Sequence, residues 1–190
     1  SPSVVTTIPE FWIIPQAWRH VVERLQCNDI VMQPIAKDTT MLLRGGDIKG
    51  FTSSARPYEG HHMNALDSVV WSVVPTRLFA GDWMVPSAQP NLRYLCEVLD
   101  PQGHDSFFTW NFFDSAMQQK EHFSGYVFEE TAAALLAADS LLRDAFERAK
   151  AMDSTLRQDA RAQLDWLYRA SPHYEGTANR YPVYKSLTDR

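Results

Sequence analysis

The sequence is poor in the features that mark disulfide-rich, membrane-spanning and nucleic-acid-binding proteins. It has only two cysteines, Cys27 and Cys96, which excludes a small disulfide framework. The 18 Lys and Arg residues are outnumbered by 23 Asp and Glu, for a net charge of -5, and they form no basic stripe. No apolar run approaches the roughly 20 residues of a membrane-spanning helix. The composition therefore argues against a nucleic-acid partner and against a membrane span.

The amino-terminal stretch SPSVVTTIPEF lacks an initiator Met, and it lacks the basic and apolar segments of a signal peptide. We therefore expect the chain to start within a longer product or after processing. Cys27 and Cys96 lie in core-like segments. Two buried free thiols are the simpler interpretation, and one disulfide is the alternative.

What the sequence does contain is typical of a globular protein with many aromatic contacts. Hydrophobic residues make up 45%, charged residues 22% and aromatic residues 12% of the chain. Near the amino terminus, FWII predicts a short strand that ends at Pro15. Trp18, Val21, Val22 and Leu25 then recur at helical spacing and predict one buried helix face.

The segment IVMQPIA predicts a second strand. The middle of the chain that follows, from about residue 39 to residue 110, has a composition typical of further strands. The segments TTMLLRG and DSVVWSVVP are rich in apolar and β-branched residues. Glycines at 45–46 and the Gly-Asp pair at 81–82 predict turns, and the range 94–99 predicts a strand with alternating side chains. Turn signals recur about every ten residues, which favours an antiparallel sheet or sandwich.

The carboxyl-terminal third is rich in Ala, Leu, Glu and Arg, and it has neither Gly nor Pro before Pro172. Such residues favour helices. Asp139 and Ser154 predict internal N-caps and hence two or three helices. The predicted fold class is α+β. An antiparallel β-rich body with one amino-terminal helix spans 1–127, and a helical segment packed on the same domain spans 128–190.

The stretch RPYEGHH, residues 56–62, combines Arg, Tyr, Glu and two His residues and so suggests a metal or catalytic site. Adjacent residues of a strand point to opposite faces, so His61 and His62 would not enter one site, whereas Glu59 and His61 could. A third ligand would have to come from a distant His, and none has ligand spacing to another His or Cys. A polar turn that leads into a strand is the simpler interpretation.

A second candidate is FFTWNFFD, residues 107–114, in which aromatic pairs flank a Trp-Asn dipeptide. The pattern is typical of a core strand, and an aromatic platform for a sugar or peptide is the alternative. Asp114 could instead cap a short helix. No nucleophile elbow, phosphate-binding loop or dinucleotide fingerprint occurs. Glu97, Asp100 and Asp105 could pair, but their spacing does not distinguish a catalytic dyad from surface charge.

Six motifs occur in a distinctive order between residues 56 and 184, within a likeness that runs from IPEFWIIPQAW near the amino terminus to YPVY: RPYEGHH, GDWMVPSAQPN, YLCEVLDPQGHDSFFTWNFFD, YVFEE, LDWLYRASPHYE and NRYPVY. This set resembles the carboxyl-terminal region of large bacterial zinc carboxypeptidase-like proteins of the carboxypeptidase A family. In that family a catalytic domain comes first. It holds zinc through an H-x-x-E pair and a distant His, and a Glu acts as general base. A β-rich domain of the present kind follows.

The resemblance implies an accessory domain that is separate from its peptidase. His20 begins an H-x-x-E sequence, but it lies on the predicted amphipathic helix, after the catalytic region in the resemblance. No catalytic or metal-binding residue of the family therefore transfers to this chain, and no cofactor is implied for it. Zinc would belong to the absent catalytic domain. The implied partner is that domain of the same polypeptide, and the implied location is periplasmic or secreted.

We therefore expect a non-catalytic accessory domain that supports folding, domain packing or substrate access. A carbohydrate- or peptide-binding module with exposed aromatics is the alternative, and an independent hydrolase that uses Glu59, His61 and Asp114 is a third hypothesis. An accessory domain should expose an apolar patch and could self-associate through it. The candidate interface or ligand contacts are Arg56, Tyr58, Glu59, His61, His62, Trp83, Trp110 and Asp114.

Overall fold

The computed structural model describes residues 6–118, 123–174 and 176–190. The chain divides into two compact units, 1–118 with 177–190, and 119–176. The elements, in order, are β1 (Phe11–Ile14), α1 (Arg19–Cys27), β2 (Gln33–Pro34), β3 (Thr39–Ser53), β4 (Asn64–Leu78), β5 (Trp83–Pro86), α2 (Leu92–Leu99), a 3₁₀ turn (Asp114–Ala116), α3 (Gly125–Ala138), α4 (Ser140–Met152), α5 (Ser154–Gln158), α6 (Ala160–Ala170) and β6 (Tyr184–Lys185).

The strands of the first unit form one antiparallel sheet in the order β2-β5-β1-β6-β3-β4. The predicted α+β class with an antiparallel sheet is therefore confirmed. The predicted strand FWII is β1, and its residues Trp12, Ile13 and Ile14 are buried. The predicted strand IVMQPIA yields only the two-residue edge strand β2, because Pro34 has no N–H to extend the ladder.

The glycine pair at 45–46 lies in the middle of β3, so the turn predicted there is wrong. A Cβ atom on Gly45 would stand 2.9 Å from Arg180 Nη1 and 2.9 Å from Val74 Cγ2. A Cβ atom on Gly46 would stand 3.1 Å from Trp71 Cζ3. Both positions therefore require glycine, because neighbouring side chains approach the backbone too closely to leave room for a Cβ atom.

Two helices pack on the core of the first unit, and only one of them was predicted. In α1 the residues Val21, Val22 and Leu25 are buried, as the helical spacing predicted. The strand predicted over residues 94–99 is wrong, because this stretch belongs to α2. Leu95 and Leu99 are both fully buried, and their i, i+4 spacing places them on one helix face.

The segment FFTWNFFD is part of the core, as expected, but the strand interpretation is wrong. Its residues form turns, and Phe107, Phe108 and Phe113 are buried in the main hydrophobic cluster. Asn111 has a φ of 68°, which reverses the chain between the two aromatic pairs. Asp114 begins a single 3₁₀ turn without a side-chain cap. Part of the helix proposed to follow Asp114 falls on residues 119–122, outside the described residues.

The second unit is helical and has its own core, in which Phe128, Phe146 and Tyr168 are buried. The predicted N-cap Asp139 is confirmed, since its carboxylate accepts from two N–H groups of α4. The cap predicted at Ser154 lies one residue earlier. The structure has four helices here rather than two or three, since three aspartates cap successive helices: Asp139, Asp153 and Asp159.

The boundary predicted after residue 127 falls inside α3, and residues 177–190 belong to the first unit rather than to the helical one. Cys27 and Cys96 are free. Cys96 is half-buried, and burial raises the pKa of its thiol. The predicted burial of Cys27 is wrong, because it lies off the apolar stripe of α1 and is exposed. Among the described residues, no helix is long and apolar enough to cross a membrane.

Candidate functional site

The stretch RPYEGHH forms the turn that joins β3 to β4. Tyr58 N donates to His61 O and His61 N donates to Tyr58 O, each at 2.9 Å. Between them, Glu59 and Gly60 have φ values of 48° and 84°. A glycine is favoured at the second of these positions because it adopts this left-handed conformation without steric cost. These two hydrogen bonds fix the backbone conformation of the stretch, which is a polar turn, as predicted.

The turn contacts the loop that contains FFTWNFFD through Asn111. His61 Nδ1 lies 3.3 Å from Asn111 Oδ1, and Asn111 Nδ2 donates to the main-chain oxygen of His62 at 2.9 Å. The same Nδ2 atom also lies 3.4 Å from Asp114 Oδ1. One amide side chain thus joins the imidazole, the turn backbone and the carboxylate.

Asn64, the first residue of β4, extends this hydrogen-bonded network into the interior. Its Nδ2 atom donates to Asp114 Oδ1 at 2.8 Å and to Phe108 O at 3.2 Å. Its Oδ1 atom accepts from Ser53 Oγ at 2.7 Å. Because Asn64 is only 3% exposed, these bonds compensate the loss of water by its amide. We call Tyr58, His61, Asn64, Trp110, Asn111 and Asp114 the turn cluster.

Trp110 is the aromatic member that holds the two sides of the turn cluster together. Its ring contacts His61 edge-to-face at a centroid distance of 5.5 Å, and Tyr58 lies 6.2 Å away. Trp110 Nε1 lies 3.4 Å from Asp105 Oδ1 at the surface. Trp110 is half-buried, whereas Tyr58 is 59% exposed. The cluster therefore presents one tyrosine ring to solvent and packs most of the tryptophan.

A cleft of about 810 Å³ opens beside the turn cluster, between α1 and the loop that carries Trp110. Its walls are both aromatic and charged: Trp18, Trp110 and Phe112 line it with Arg19, His20, Glu23, Arg24, Cys27, His61, Asn111 and Ser115. Arg19 and His20 each lie near Glu23, at 3.9 Å and 3.4 Å between their charged atoms. The cleft therefore has the composition of a binding site for a planar or anionic group.

The structure brings together four of the eight candidate residues, Tyr58, His61, Trp110 and Asp114. Sequence reasoning missed Asn64 and Asn111, which connect them. The remaining four are separate. Arg56 and Glu59 are exposed, and their side chains have no hydrogen bond or ion pair within the described ranges. The imidazole of His62 turns away to Ser54 O at 2.7 Å, and Trp83 packs on the main hydrophobic cluster from β5.

The acidic residues considered for a dyad do not form one. Glu97 and Asp105 are exposed, whereas Asp100 is buried and binds a cation. Lys185 Nζ donates to Asp100 Oδ2 at 2.6 Å and lies 4.2 Å from the centroid of the Trp71 ring. Both side chains of the ion pair are only 5% exposed. The pair lies inside the first unit, where it stabilises the position of β6.

Burial raises the pKa of the Asp100 carboxyl, but the neighbouring Lys185 charge and hydrogen bonds outweigh it. Thr6 Oγ1 donates to Asp100 Oδ2 at 2.7 Å, and Gln102 N donates to Oδ1 at 3.0 Å. The net result is an Asp100 pKa below its ordinary value. Nearby, burial raises the pKa of the Tyr181 phenol, which donates to Leu99 O at 3.0 Å.

No three His, Cys, Asp or Glu side chains converge as a metal site in the part of the chain that the structure describes. In comparisons with known proteins, no protein-family model, no curated protein and no solved structure matches the chain.

Proposed function

We propose that the chain is a non-catalytic accessory domain of a zinc carboxypeptidase-like protein, and that it packs on the catalytic domain of the same polypeptide. The observation that supports this proposal is the exposed turn Arg56–Gly60. It presents a guanidinium that has no partner among the described residues, a phenol and a carboxylate on a backbone fixed by hydrogen bonds. In the resemblance, this turn lies within one of the shared motifs.

The turn is suited to bind another protein surface. Reciprocal bonds between Tyr58 and His61 fix the backbone, so little conformational entropy is lost when a partner binds. Tyr and Arg are also the residue types most often found at the energetic centre of protein interfaces. Arg56 and Tyr58 would therefore contact the catalytic domain directly, while the buried part of the turn cluster would hold the turn in place.

The chemistry of the turn cluster also favours a structural role over hydrolysis. A catalytic base must lie within hydrogen-bonding reach of the group that it activates or of a residue that orients it. Here His61 and Asp114 both lie next to the Asn111 amide, and Asp114 also accepts from Asn64. His61 Nδ1 and the side chains of Asn64, Asn111 and Asp114 thus have partners within the turn cluster, and Glu59 lies outside this network.

The proposal is tested by measuring binding between this chain and the catalytic region of the same polypeptide. Isothermal titration should give a one-to-one complex, and Tyr58→Ala should weaken it at least about 30-fold, the effect of losing an interface hot spot. Tyr126→Ala is a matched control, because Tyr126 is 88% exposed and lies in the other unit. Stoichiometric zinc in the isolated chain together with peptide cleavage would contradict the proposal.

A carbohydrate- or peptide-binding module is the second candidate, and the cleft beside α1 is the observation that favours it. Trp18 and Trp110 could stack on a sugar or a planar side chain, while Arg24 could bind a carboxylate. Titration with cell-wall oligosaccharides and with short peptides, followed by tryptophan fluorescence, tests this function. Saturable binding that Trp110→Ala abolishes, with the fold retained, would favour this candidate.

The independent hydrolase, the third hypothesis, has a direct test of its own. If the chain hydrolyses a peptide or ester substrate, His61→Ala should remove that activity. An active preparation in which His61→Ala leaves the rate unchanged would exclude the hypothesis. His20→Ala is a suitable control, because His20 is an exposed imidazole of the same cleft and lies outside the turn cluster.

A further inference from the structure

The cleft beside α1 is lined on one side by a single helix face. His20, Arg24 and Cys27 follow one another at spacings of four and three residues, so they lie on the same face of α1. Arg19 and Glu23 stand on the ridge of the helix, because they also line a smaller groove on its other side. All of these residues, and those of the opposite wall, belong to the first unit.

Arg24 brings to the cleft a positive charge that has no counter-charge in the described part of the chain. The Glu23 carboxylate is shared by Arg19 Nη2 at 3.9 Å and His20 Nδ1 at 3.4 Å. The exposed Arg24 side chain, in contrast, has neither an ion pair nor a hydrogen bond within the described ranges. Burial raises the pKa of the Tyr94 phenol and the Arg24 charge lowers it in part, but an uncharged phenol does not neutralise a guanidinium.

Three aromatic side chains also line the cleft, and each is held in place by other side chains. Trp18 contacts Phe113 edge-to-face at 4.9 Å between ring centroids, and Phe112 contacts Phe107 at 4.9 Å. Trp110 is held by the turn cluster. All three are half-buried, so part of each side chain is packed and part remains open. A planar ligand therefore meets aromatic surfaces that lose little freedom when it binds.

The cleft offers a ligand few polar groups that are not already bonded. The Asn111 amide is bonded to His61, to His62 O and to Asp114. Ser115 is exposed, and its hydroxyl has no partner among the described residues. A sugar presents several hydroxyl groups, and each one that finds no partner in the cleft loses its bonds to water. A ligand with one charged end and an apolar ring therefore fits the cleft better than a sugar does.

We propose that the cleft beside α1 binds an aromatic carboxylate. The ring lies against Trp18 and Trp110, and the carboxylate accepts two parallel hydrogen bonds from the Arg24 guanidinium, the geometry in which arginine binds carboxylates most strongly. One guanidinium matches the single charge of the ligand, and a cleft of about 810 Å³ has room for it. The inference rests on the second candidate function, the binding module, and is independent of the accessory role.

The first test compares the affinities of three small ligands for the full chain by NMR titration. 3-Phenylpropionate carries both the ring and the charge, and it should bind saturably. 3-Phenylpropionamide lacks the charge and 3-cyclohexylpropionate lacks the aromatic face, so each should bind at least about tenfold more weakly. If either of them bound as tightly as 3-phenylpropionate, the proposed ligand class would be wrong.

The variant Arg24→Gln tests the contact with the carboxylate. It should weaken the binding of 3-phenylpropionate at least about tenfold and leave the binding of 3-phenylpropionamide unchanged. Arg93→Gln is a matched control, because Arg93 is an exposed arginine of α2 that does not line the cleft. Both positions are exposed, so circular dichroism should be unchanged in both variants. Wild-type affinity in Arg24→Gln would overturn the assignment of the carboxylate to Arg24.

Cys27 provides an independent measure of occupancy. Its thiol is exposed at the cleft, whereas burial raises the pKa of the half-buried Cys96 thiol and so lowers its reactivity. Bound 3-phenylpropionate should slow the alkylation of Cys27 by iodoacetamide in proportion to occupancy and leave that of Cys96 unchanged. At the same ligand concentration, Arg24→Gln should lose this protection. Binding that does not protect Cys27 would place the ligand elsewhere and overturn the site.

Two further ligands distinguish the source of the carboxylate and the alternative functions. A tripeptide that ends in phenylalanine carries the same ring and charge. Tighter binding than that of 3-phenylpropionate would identify the end of a peptide as the source, and equal or weaker binding a free aromatic acid; both support the ligand class. A neutral cell-wall oligosaccharide that binds in the cleft when 3-phenylpropionate does not would overturn the inference and retain the binding module. If no ligand binds but the complex with the catalytic region forms, the inference is wrong and the accessory role stands.

Discussion

The two units of this chain are stabilised by contacts at very different distances along the sequence. In the helical unit, Asp139 accepts from Leu141 N and Leu142 N, two and three residues away. In the sheet unit, Lys185 donates to Asp100 across 85 residues. Local contacts of the first kind can form in a short peptide, whereas the second kind requires most of the chain to be in place.

The difference shows where sequence analysis succeeds. A helix start depends on a few neighbouring residues, so the cap at Asp139 could be read from the sequence. An ion pair such as Lys185 with Asp100 depends on the whole topology of the sheet, and no local pattern indicates it. The predictions below test this contrast between local and long-range stabilisation.

Removing Lys185 should have the largest effect. Lys185→Ala leaves the Asp100 carboxylate buried without its cation, and we expect a loss of about 3–5 kcal/mol in the free energy of unfolding. Urea denaturation followed by fluorescence measures it. The double variant Lys185→Met with Asp100→Leu should recover most of this loss, because it removes both charges. Equal destabilisation of the double variant would show that packing, not charge, dominates.

The same ion pair predicts how stability depends on pH. The pKa of Asp100 is lowered in the folded state, so its contribution is present above the unfolded-state pKa and is lost as the pH falls through the folded-state pKa. In Lys185→Ala, burial without the cation should raise the Asp100 pKa, and the sign reverses. Acid should then stabilise the variant relative to neutral pH. Parallel pH profiles for the two proteins would contradict this account.

The turn cluster should be intermediate in effect. Asn64→Ala leaves Asp114 and the Phe108 carbonyl without a buried donor, and we expect a loss of about 1–3 kcal/mol in the free energy of unfolding. Thermal denaturation provides the measurement. Asn28→Ala is the control, because Asn28 is exposed and makes one side-chain bond, to Arg24 O. Similar losses for both variants would mean that the network contributes little.

The smallest effect is expected in the helical unit. Asp139→Ala removes two cap hydrogen bonds of α4 and should reduce the free energy of unfolding by about 1 kcal/mol. Asp139→Ser, which keeps an acceptor, should restore most of it. Hydrogen exchange of the first-turn amides of α4 should rise in the alanine variant. If Asp139→Ala reduced the free energy of unfolding as much as Lys185→Ala does, the contrast between local and long-range stabilisation would be wrong.

Much of the fold could be predicted because local signals and tertiary structure agree. α1 and β1 follow from residue spacing, and the turn at Gly81 follows from a glycine with a φ of 97°. Other parts could not be predicted, since tertiary contacts decide them. The side chains of α2 fit both the alternation of a strand and the spacing of a helix, so the sequence pattern alone does not decide between the two. The glycines at 45–46 serve side-chain approach rather than a turn.

The candidate site was predicted in part for a related reason. Chemically conspicuous residues such as His61, Trp110 and Asp114 were identified, but the two asparagines that join them were not. Asn64 and Asn111 bond to partners about 50 residues away, as the 50-residue separation between His61 and Asn111 shows. One property of the sequence did indicate Asn111. Asn adopts a positive φ more readily than most residues, and Asn111, next to Trp110, lies in a turn with a φ of 68°.

The position of β6 has a consequence for how the protein is made. β6 is the last strand of the chain, yet it lies between β1 and β3 inside the sheet. During synthesis, the strands before it leave the ribosome long before Lys185 does. The sheet therefore stays incomplete, with the edges of β1 and β3 that later pair with β6 still unpaired, while residues 119–176 are synthesised and α3 to α6 can form. Translation speed across that segment sets how long the nascent chain is exposed to aggregation and to chaperones.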